Sequence, residues 1–391
     1  MINDMQKTFK RIFNSVSEPE LYFAPGRVNL IGEHTDHEGG FVFPCAINLG
    51  IYALASKTEE KVLRLYSMNF DDGIFTPFEI NIDDIKEKSE FRTWVNYPLG
   101  VVNVLKNNGY KFDGGADILY NGNLPGGAGL SSSAAIEVLT GKILSGLFNF
   151  NIDGVKMALF SQEAENNFVG MNCGIMDQFA VSMGRKNNAV LLNCSTLKYS
   201  YAPLELENYK IIITNSNVPH SLAGSEYNLR RQQCEEALAD IKKVKNISCL
   251  CELNQIELDE YSFCVKNPVN LRRANHAVNE NARAIRASEA LKNGGLKLFG
   301  RLMNASHVSL RDNYEVTVPE LDTLAELAWE FPGVVGSRMT GGGFGGCTVS
   351  IVENSAVDGF INKIGADYEK LTGRKADFYI IESSEGARKI N

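Results

Sequence analysis

Apolar residues recur along this chain with two different periods, and the alternation between them sketches its elements. Near the N-terminus Met5, Phe9, Ile12 and Phe13 share one side of a 3.6-residue repeat, with Asp4 and Lys7 between them. That pattern is an amphipathic surface helix rather than a signal peptide. Residues 20–80 carry short apolar runs at 21–23, 41–43, 51–55 and 62–66, each the length of a strand. Helical spacing returns at 94–105 through Val95, Leu99, Val102 and Leu105. A strand at 116–120 follows, then helices at about 133–148 and 153–168, then strands at 189–192 and 209–214. Beyond that point the runs at 224–246, 271–291, 295–306 and 318–329 are helix-like. Strands at 334–335, 348–352 and 378–381 flank a helix at 356–372.

Composition narrows the class. The chain has 391 residues, 44% hydrophobic and 22% charged, enough for two domains with real cores. The change of character places the boundary near 195–215. A net charge of −8 argues against nucleic acid or an anionic membrane as partner. The uncharged stretch from Phe41 to Ser56 is too short to span a bilayer and holds Pro44, Asn48 and Gly50. Eight scattered cysteines form no disulfide framework at this length. Cys249 and Cys251 have no second Cys/His pair at zinc-finger spacing, so reduced thiols and a cytoplasmic setting are expected.

The richest chemistry lies in Leu124-Pro125-Gly126-Gly127-Ala128-Gly129-Leu130-Ser131-Ser132-Ser133-Ala134-Ala135, between an expected strand and an expected helix. Glycine and alanine let backbone turn tightly and approach a ligand. Three hydroxyls then sit where a helix begins and where free N–H groups and the helix dipole suit a phosphate. A phosphorylated ligand is expected, a nucleotide above all. No lysine follows before Lys142, so this is not a Walker A loop, and the third glycine of a dinucleotide fingerprint is missing. A strand–turn–helix joint with a serine N-cap is the plainer explanation. Two further segments weigh against it.

Between residues 24 and 40, Arg27, Asn29, Glu33, His34, Asp36, His37 and Glu38 crowd between glycine turns. Carboxylates beside imidazoles suit a polyhydroxylated ligand or a metal. The metal is the weaker reading, since His34 and His37 have no further partner at a known spacing. A charged surface loop would carry Lys and Ser, which this segment lacks. The third segment, Gly341-Gly342-Gly343-Phe344-Gly345-Gly346, is followed directly by an apolar strand, unlike a flexible glycine tail.

At these three segments the chain resembles the galactokinases of the GHMP small-molecule kinase superfamily. Gly26 to Asp36 reads Gly-Arg-Val-Asn-Leu-Ile-Gly-Glu-His-Thr-Asp, the galactokinase signature. Pro125 to Ala134 fits Pro-x-x-x-Gly-Leu-Ser-Ser-Ser-Ala, the superfamily's ATP loop, and the Gly-Gly-Gly-Phe-Gly-Gly run matches its third motif. The first motif is specific to galactokinases; the others are shared with mevalonate, homoserine and related kinases. The resemblance implies an α+β fold of two domains with the active site between them. The N-terminal domain, residues 1–200, is expected to be ribosomal S5-like and the C-terminal domain, residues 201–391, ferredoxin-like. The implied activity is ATP- and Mg²⁺-dependent transfer of a phosphoryl group to O1 of α-D-galactose.

The resemblance also implies roles. Gly174-Ile175-Met176-Asp177-Gln178-Phe179 matches the family's catalytic segment, so Asp177 is expected to face the sugar's anomeric hydroxyl, with Arg27 as its cationic partner. Two roles stay open for the pair: Asp177 takes the proton, or it orients the hydroxyl while Arg27 holds charge on the phosphoryl group. Glu165 and Ser133 match the Mg²⁺ ligands. Gly127, Ala128, Gly129, Leu130, Ser131, Ser132 and Ser133 match the ATP loop, and Ser67 a position near the nucleotide. Glu33, His34, Thr35, Asp36, Gly174 and Tyr227 match the sugar contacts. Outside that frame Glu165 reads as a solvated helix face beside Glu163, and Tyr227 as core.

One departure stands out. The family usually continues Asp-Tyr-Asn-x-Gly, whereas this chain reads Asp36-His37-Glu38-Gly39-Gly40. The alternatives are a kinase for a related sugar such as N-acetylgalactosamine, or a galactose sensor of the same fold. The expected partners are galactose and ATP alone, with no nucleic acid, membrane or obligate protein partner.

Overall fold

The computed structural model describes residues 1–14, 18–70, 76–90, 93–126, 128–218 and 223–390. Helix α1 (Ile2–Phe13) buries Met5, Phe9 and Phe13 and ends on Asn14 in the left-handed conformation. In chain order the first half continues with β1 (Glu20–Asn29), β2 (Phe41–Val42), β3 (Pro44–Thr58), β4 (Val62–Ser67), β5 (Phe78–Asn81) and α2 (Asn96–Asn107). Then come β6 (Gly115–Gly122), α3 (Ser132–Phe148), α4 (Gly154–Glu163), α5 (Met176–Met183), β7 (Asn188–Asn193) and β8 (Tyr199–Pro203). The second half holds β9 (Tyr209–Asn215), α6 (Ala223–Ile241), α7 (Gln255–Tyr261), α8 (Pro268–Lys292), α9 (Leu296–Ser309) and α10 (Pro319–Glu330). It closes with β10 (Val334–Thr340), β11 (Cys347–Glu353), α11 (Val357–Thr372), β12 (Asp377–Ile381) and β13 (Arg388–Lys389).

Among the described residues three sheets form. The first has the order β13-β1-β3-β6-β4-β5, the second β10-β11-β9-β12 and the third β2-β7-β8. One face of the first sheet, through Ala53, Ala55, Leu65 and Ile118, packs on α2 and α3; the other, through Leu21, Leu54 and Leu119, takes the apolar stripe of α1. Alternate residues of β9 serve opposite cores, as a strand covered on both faces requires. Ile211 and Ile213 meet α8 and α9, whereas Ile212 meets α10 and α11. The first of these cores also contains Val28, Leu30 and Phe43, so apolar packing is continuous across the seam between the halves.

Three differences from the sequence reading bear on function. The segment after Ala24, read as a loop between glycine turns, stays in β1 as far as Asn29. Its pairing with β3 shifts register between Pro25 and Arg27 and resumes at Arg27 opposite Ala46. A side chain at Gly26 would collide with Leu124 and the Leu130 carbonyl, so glycine lets β1 lie against the serine-rich loop. The helix expected at 153–168 is α-helical only to Glu163 and widens into a π-helical turn, Ala164–Val169. Finally, the partition expected at residue 200 is crossed by the tail, because β13 returns to pair with β1 through Tyr22 and Lys389. It covers an edge that would otherwise expose unpaired backbone. Among the described residues no helix is long and apolar enough to cross a membrane.

Candidate active site

Arg27 enters the site from the bulged end of β1. Its Nε and Nη2 donate to Oδ1 and Oδ2 of Asp177 at 2.7 and 2.9 Å, and its Nη1 donates to the Gly129 carbonyl at 2.7 Å. Asp177 stands in the first turn of α5, where a carboxylate meets the positive end of the helix. The fork-to-carboxylate pair fixes orientation as well as charge. The arginine side chain is 6% exposed and the aspartate 28%, so the carboxylate keeps an open side.

That side faces two adjoining cavities. One, of about 400 Å³, is lined by Arg27, Glu33, His34, Asp36, Glu165, Gly174, Asp177, Tyr227 and Gly342, among others. The second, of about 270 Å³, is lined by residues 128–133 together with Arg27, Asp177 and Gly342. Arg27, Asp177 and Gly342 belong to both walls. The second cavity is therefore bounded by the glycine- and serine-rich loop, and the first by the acidic segment that follows β1.

The loop is built differently from a simple helix cap. Ser131 occupies the N-cap of α3 in the left-handed conformation, φ 61°, and makes no side-chain cap bond. Its Oγ donates instead to Asp177 Oδ2 at 2.6 Å. A left-handed serine costs on the order of 1 kcal/mol, and such strain persists where the surroundings hold it. Ala128, Gly129, Leu130, Ser132 and Ser133 lie in the same wall. Gly127 is outside the described residues.

In the larger cavity each acidic and imidazole group has its own setting. Both Glu33 oxygens are held: the Gly341 amide donates to Oε1 at 2.6 Å, Arg338 Nη1 lies 3.3 Å away, and Asn29 Nδ2 donates to Oε2. Burial pushes this carboxyl up to about 7, against the pull of Arg338. The Arg338 and Gly341 contacts tie the third glycine motif to the first. Burial, reinforced by His37 and His276, holds His34 well below its ordinary value, and its Nε2 is buried with no partner. Burial would raise the Asp36 carboxyl, but the His37 hydrogen bond and charge outweigh it and hold it low. A side chain at Gly174 would overlap Asp36 Oδ2, so glycine lets the backbone before α5 lie on that carboxylate.

Glu165, at the start of the π-helical turn, is buried rather than solvated. Gln178 Nε2 donates to its Oε2 at 2.5 Å and to Glu137 Oε2 at 3.2 Å. Burial raises the Glu165 carboxyl, a hydrogen bond from Ser133 opposes that, and Asp177 adds to it. Burial and Glu165 push Glu137 well above the usual range, and Glu137 Oε1 is buried with no partner. Among the described residues no group of three or more His, Cys, Asp or Glu is placed to hold a metal alone. An oxygen pair such as Ser133 and Glu165 suits a cation that completes its shell from phosphates and water.

Of the expected site residues, Thr35 and Ser67 stand apart. Thr35 Oγ1 contacts the carbonyls of Gly32 at 3.0 Å and Phe41 at 2.8 Å, which closes the turn. Ser67 ends β4 and its Oγ accepts from the Asn69 amide. Neither lines either of these two cavities. Sequence reasoning missed Gln178, Glu137 and Arg338, whose polar contacts are long-range, and the local signal for them was only a polar residue inside an apolar run.

Three family descriptions match the chain: the galactokinase galactose-binding signature over residues 7–57, the GHMP kinase N-terminal domain over 96–185 and the GHMP kinase C-terminal domain over 287–370. A galactokinase of Clostridium acetobutylicum is 52% identical over 392 residues, covering 100% of both chains. One from Bacillus subtilis is 47% identical, covering 100% of this chain and 99% of its own. The crystal structure of Lactococcus lactis galactokinase complexed with galactose superposes with a TM-score of 0.96 at 42% identity, covering 100% of both chains. Methanococcus jannaschii mevalonate kinase shares the fold at a TM-score of 0.65 and 19% identity, covering 95% of this chain and 100% of its own.

Proposed function

The chain belongs to the galactokinase family of the GHMP kinases, and on that premise we propose that it transfers the γ-phosphoryl group of ATP to O1 of α-D-galactose. The products are α-D-galactose 1-phosphate and ADP. The observation that carries this reading is the pair Arg27–Asp177 in the shared wall of two cavities. One cavity offers backbone amides and hydroxyls at a helix start, the other carboxylates and an imidazole whose Nε2 has no partner.

ATP would lie with its phosphates along residues 128–133, where backbone N–H groups and the start of α3 favour negative charge. Galactose would occupy the larger cavity. A neutral His34 offers Nε2 to a sugar hydroxyl, and the low-lying Asp36 accepts from others. O1 then points to the wall common to both cavities. There Asp177, held by two arginine N–H groups and the Ser131 hydroxyl, orients the O1 hydroxyl and is placed to take its proton. The Arg27 guanidinium lies beside the reacting oxygens and offsets charge that grows on the phosphoryl group.

Ser133 and Glu165 are the residues that would hold Mg²⁺, and the buried surplus of carboxylate at Glu137 and Glu165 fits a divalent cation nearby. When bound, the ion neutralises charge on the β- and γ-phosphates. Eight free thiols accord with a cytoplasmic setting. Two domains, 1–200 and 201–391, remain our division of the chain.

The test is ADP release with MgATP across a panel of hexoses, with the product identified by ³¹P NMR. Galactose 1-phosphate is expected. Phosphorylation elsewhere on the sugar, or no turnover of galactose, overturns the reading.

A further inference from the structure

His37 stands where the family usually has tyrosine, and its side chain is 4% exposed behind the wall of the larger cavity. Its Nδ1 lies 3.2 Å from Asp36 Oδ1 and 3.3 Å from the Tyr227 hydroxyl. Its Nε2 lies 3.3 Å from the Tyr314 hydroxyl and 3.7 Å from Glu38 Oε1. Asp36 and Tyr227 line the cavity. Tyr314 packs on His34, another lining residue, with ring centres 4.7 Å apart. One buried imidazole thus touches or backs three parts of the cavity wall.

Hydrogen-bond chemistry fixes what the ring can do. A carboxylate only accepts, so the proton between His37 and Asp36 sits on Nδ1. The Tyr227 oxygen faces that same N–H and takes the acceptor part. Its own proton must point elsewhere, and the open side of Tyr227 is the cavity. Burial would favour the neutral ring, but the Asp36 hydrogen bond and the Asp36 and Glu38 carboxylates outweigh it and hold His37 above its ordinary value. In the charged ring Nε2–H donates to the Tyr314 oxygen, and in the neutral ring Nε2 accepts from the Tyr314 hydroxyl; Nδ1 carries its proton in both. The Gly174 backbone lies close against Asp36 Oδ2, the oxygen that His37 does not meet.

We propose that His37 is a positioning residue for the sugar: its Nδ1–H fixes Asp36 and turns the Tyr227 hydroxyl proton into the cavity as a donor. This rests on the assignment of the larger cavity to the sugar. Arg27, Ser131 and Asp177 lie outside these contacts, so His37 governs sugar binding and leaves the transfer step alone.

Three substitutions separate positioning from packing. His37→Asn keeps an N–H close to the place of Nδ1. His37→Gln carries its N–H one atom further, near Nε2. His37→Phe keeps a ring and removes both nitrogens. The expected result is a rise of about tenfold in the KM for galactose in the Phe and Gln variants, the scale of one hydrogen bond to a charged group. The Asn variant should stay within about threefold of wild type, and kcat and the KM for ATP should hold in all three. Equal KM values in the Asn and Gln variants, an unchanged KM in the Phe variant, or a loss confined to kcat overturns the proposal. If the Phe variant does not fold, the Asn and Gln pair decides. Should the wild-type enzyme use another sugar and not galactose, the functional reading fails, and the same variants read with that sugar still decide the role of His37.

Discussion

Ser131 donates its hydroxyl to Asp177 Oδ2 at 2.6 Å from the N-cap of α3, a position from which serine usually bonds its own helix. The serine-rich loop therefore supplies a third donor to the carboxylate that Arg27 already grips on both oxygens. One oxygen carries two donors, which leaves Oδ1 the freer of the pair. On the role proposed for Asp177, its orientation matters most at the transition state, so Ser131→Ala should lower kcat by about tenfold and leave the KM for galactose near wild type. Steady-state kinetics with both substrates checks this. A rise in KM with unchanged kcat would assign Ser131 to binding instead.

Asp177→Asn should be far more costly. An amide turns one acceptor into a donor that faces the guanidinium, and it removes the carboxylate proposed to take the O1 proton. A fall of about 10³-fold in kcat is expected, within the range of positioned acid–base groups. Calorimetry should still detect galactose binding, because Asp36 and His34 are untouched. Near-normal turnover in this variant would remove Asp177 from the mechanism.

Ser133→Ala and Glu165→Ala should each raise the Mg²⁺ concentration needed for half-maximal rate, with partial recovery in excess Mg²⁺. Each removes one of the two oxygens proposed to hold the ion. Titrations of rate against Mg²⁺ at saturating ATP give the comparison, and circular dichroism checks the fold. Mg²⁺ curves that overlay the wild type in both variants would show that neither residue is a ligand.

Much of this site was legible because its parts are local in sequence. The loop from Leu124 to Ala135 and the run from Glu33 to Asp36 announce themselves by glycine, hydroxyl and carboxylate spacing. What stayed hidden arises from contacts between distant segments. That Ser131 serves Asp177 rather than its helix depends on α5, an eight-residue helix too short to show a period. That Arg27 sits on a strand depends on pairing with Ala46, and local propensity at Pro25-Gly26 argues the other way. Glu165 is buried because α4 loosens into a π-helical turn, a change that no apolar spacing marks. The return of β13 to β1 is a pairing across nearly the whole chain.

His276 gives a stability test. It is buried on α8, with Nε2 3.1 Å from the Glu33 carbonyl and Nδ1 2.9 Å from Ser309 Oγ. Burial pushes its value down from 6.5 to about 4. The folded protein thus favours the neutral ring, and the stability this contributes is complete above pH 6.5 and lost as pH falls towards 4. Glu33 and Glu38, both pushed up to about 7 by burial, act in the opposite sense, so the wild type alone does not isolate the imidazole. The difference between proteins does. His276→Gln should gain on the wild type by on the order of 2–3 kcal/mol between pH 6.5 and 4. Urea denaturation at both ends of that window measures it, and a constant difference would mean that His276 does not titrate on unfolding.

The choice between epimers tests the sugar cavity most severely. Galactose and glucose differ only in the direction of the C4 hydroxyl. Asp36 is held low by His37, so it stays a carboxylate and needs donors from the ligand as well as from the protein. His37 meets one oxygen, and the other lies against Gly174 at the cavity wall. A sugar hydroxyl that reaches this carboxylate completes its shell; one turned away leaves a buried charge short of a partner. Sites that hydrogen-bond a substrate hydroxyl reject the mismatched analogue by roughly 10⁴-fold in kcat/KM, far beyond what a missing methylene achieves. Strong preference for galactose over glucose is therefore expected. Asp36→Ala should lose most galactose activity and narrow the ratio between the two sugars, because the penalty on glucose disappears with the carboxylate. Competition of both sugars at equal concentration, with the products separated by chromatography, reads both effects at once. Comparable phosphorylation of glucose by the wild-type enzyme would refute the role of Asp36, and an unchanged ratio in Asp36→Ala would move the epimer choice to another part of the wall.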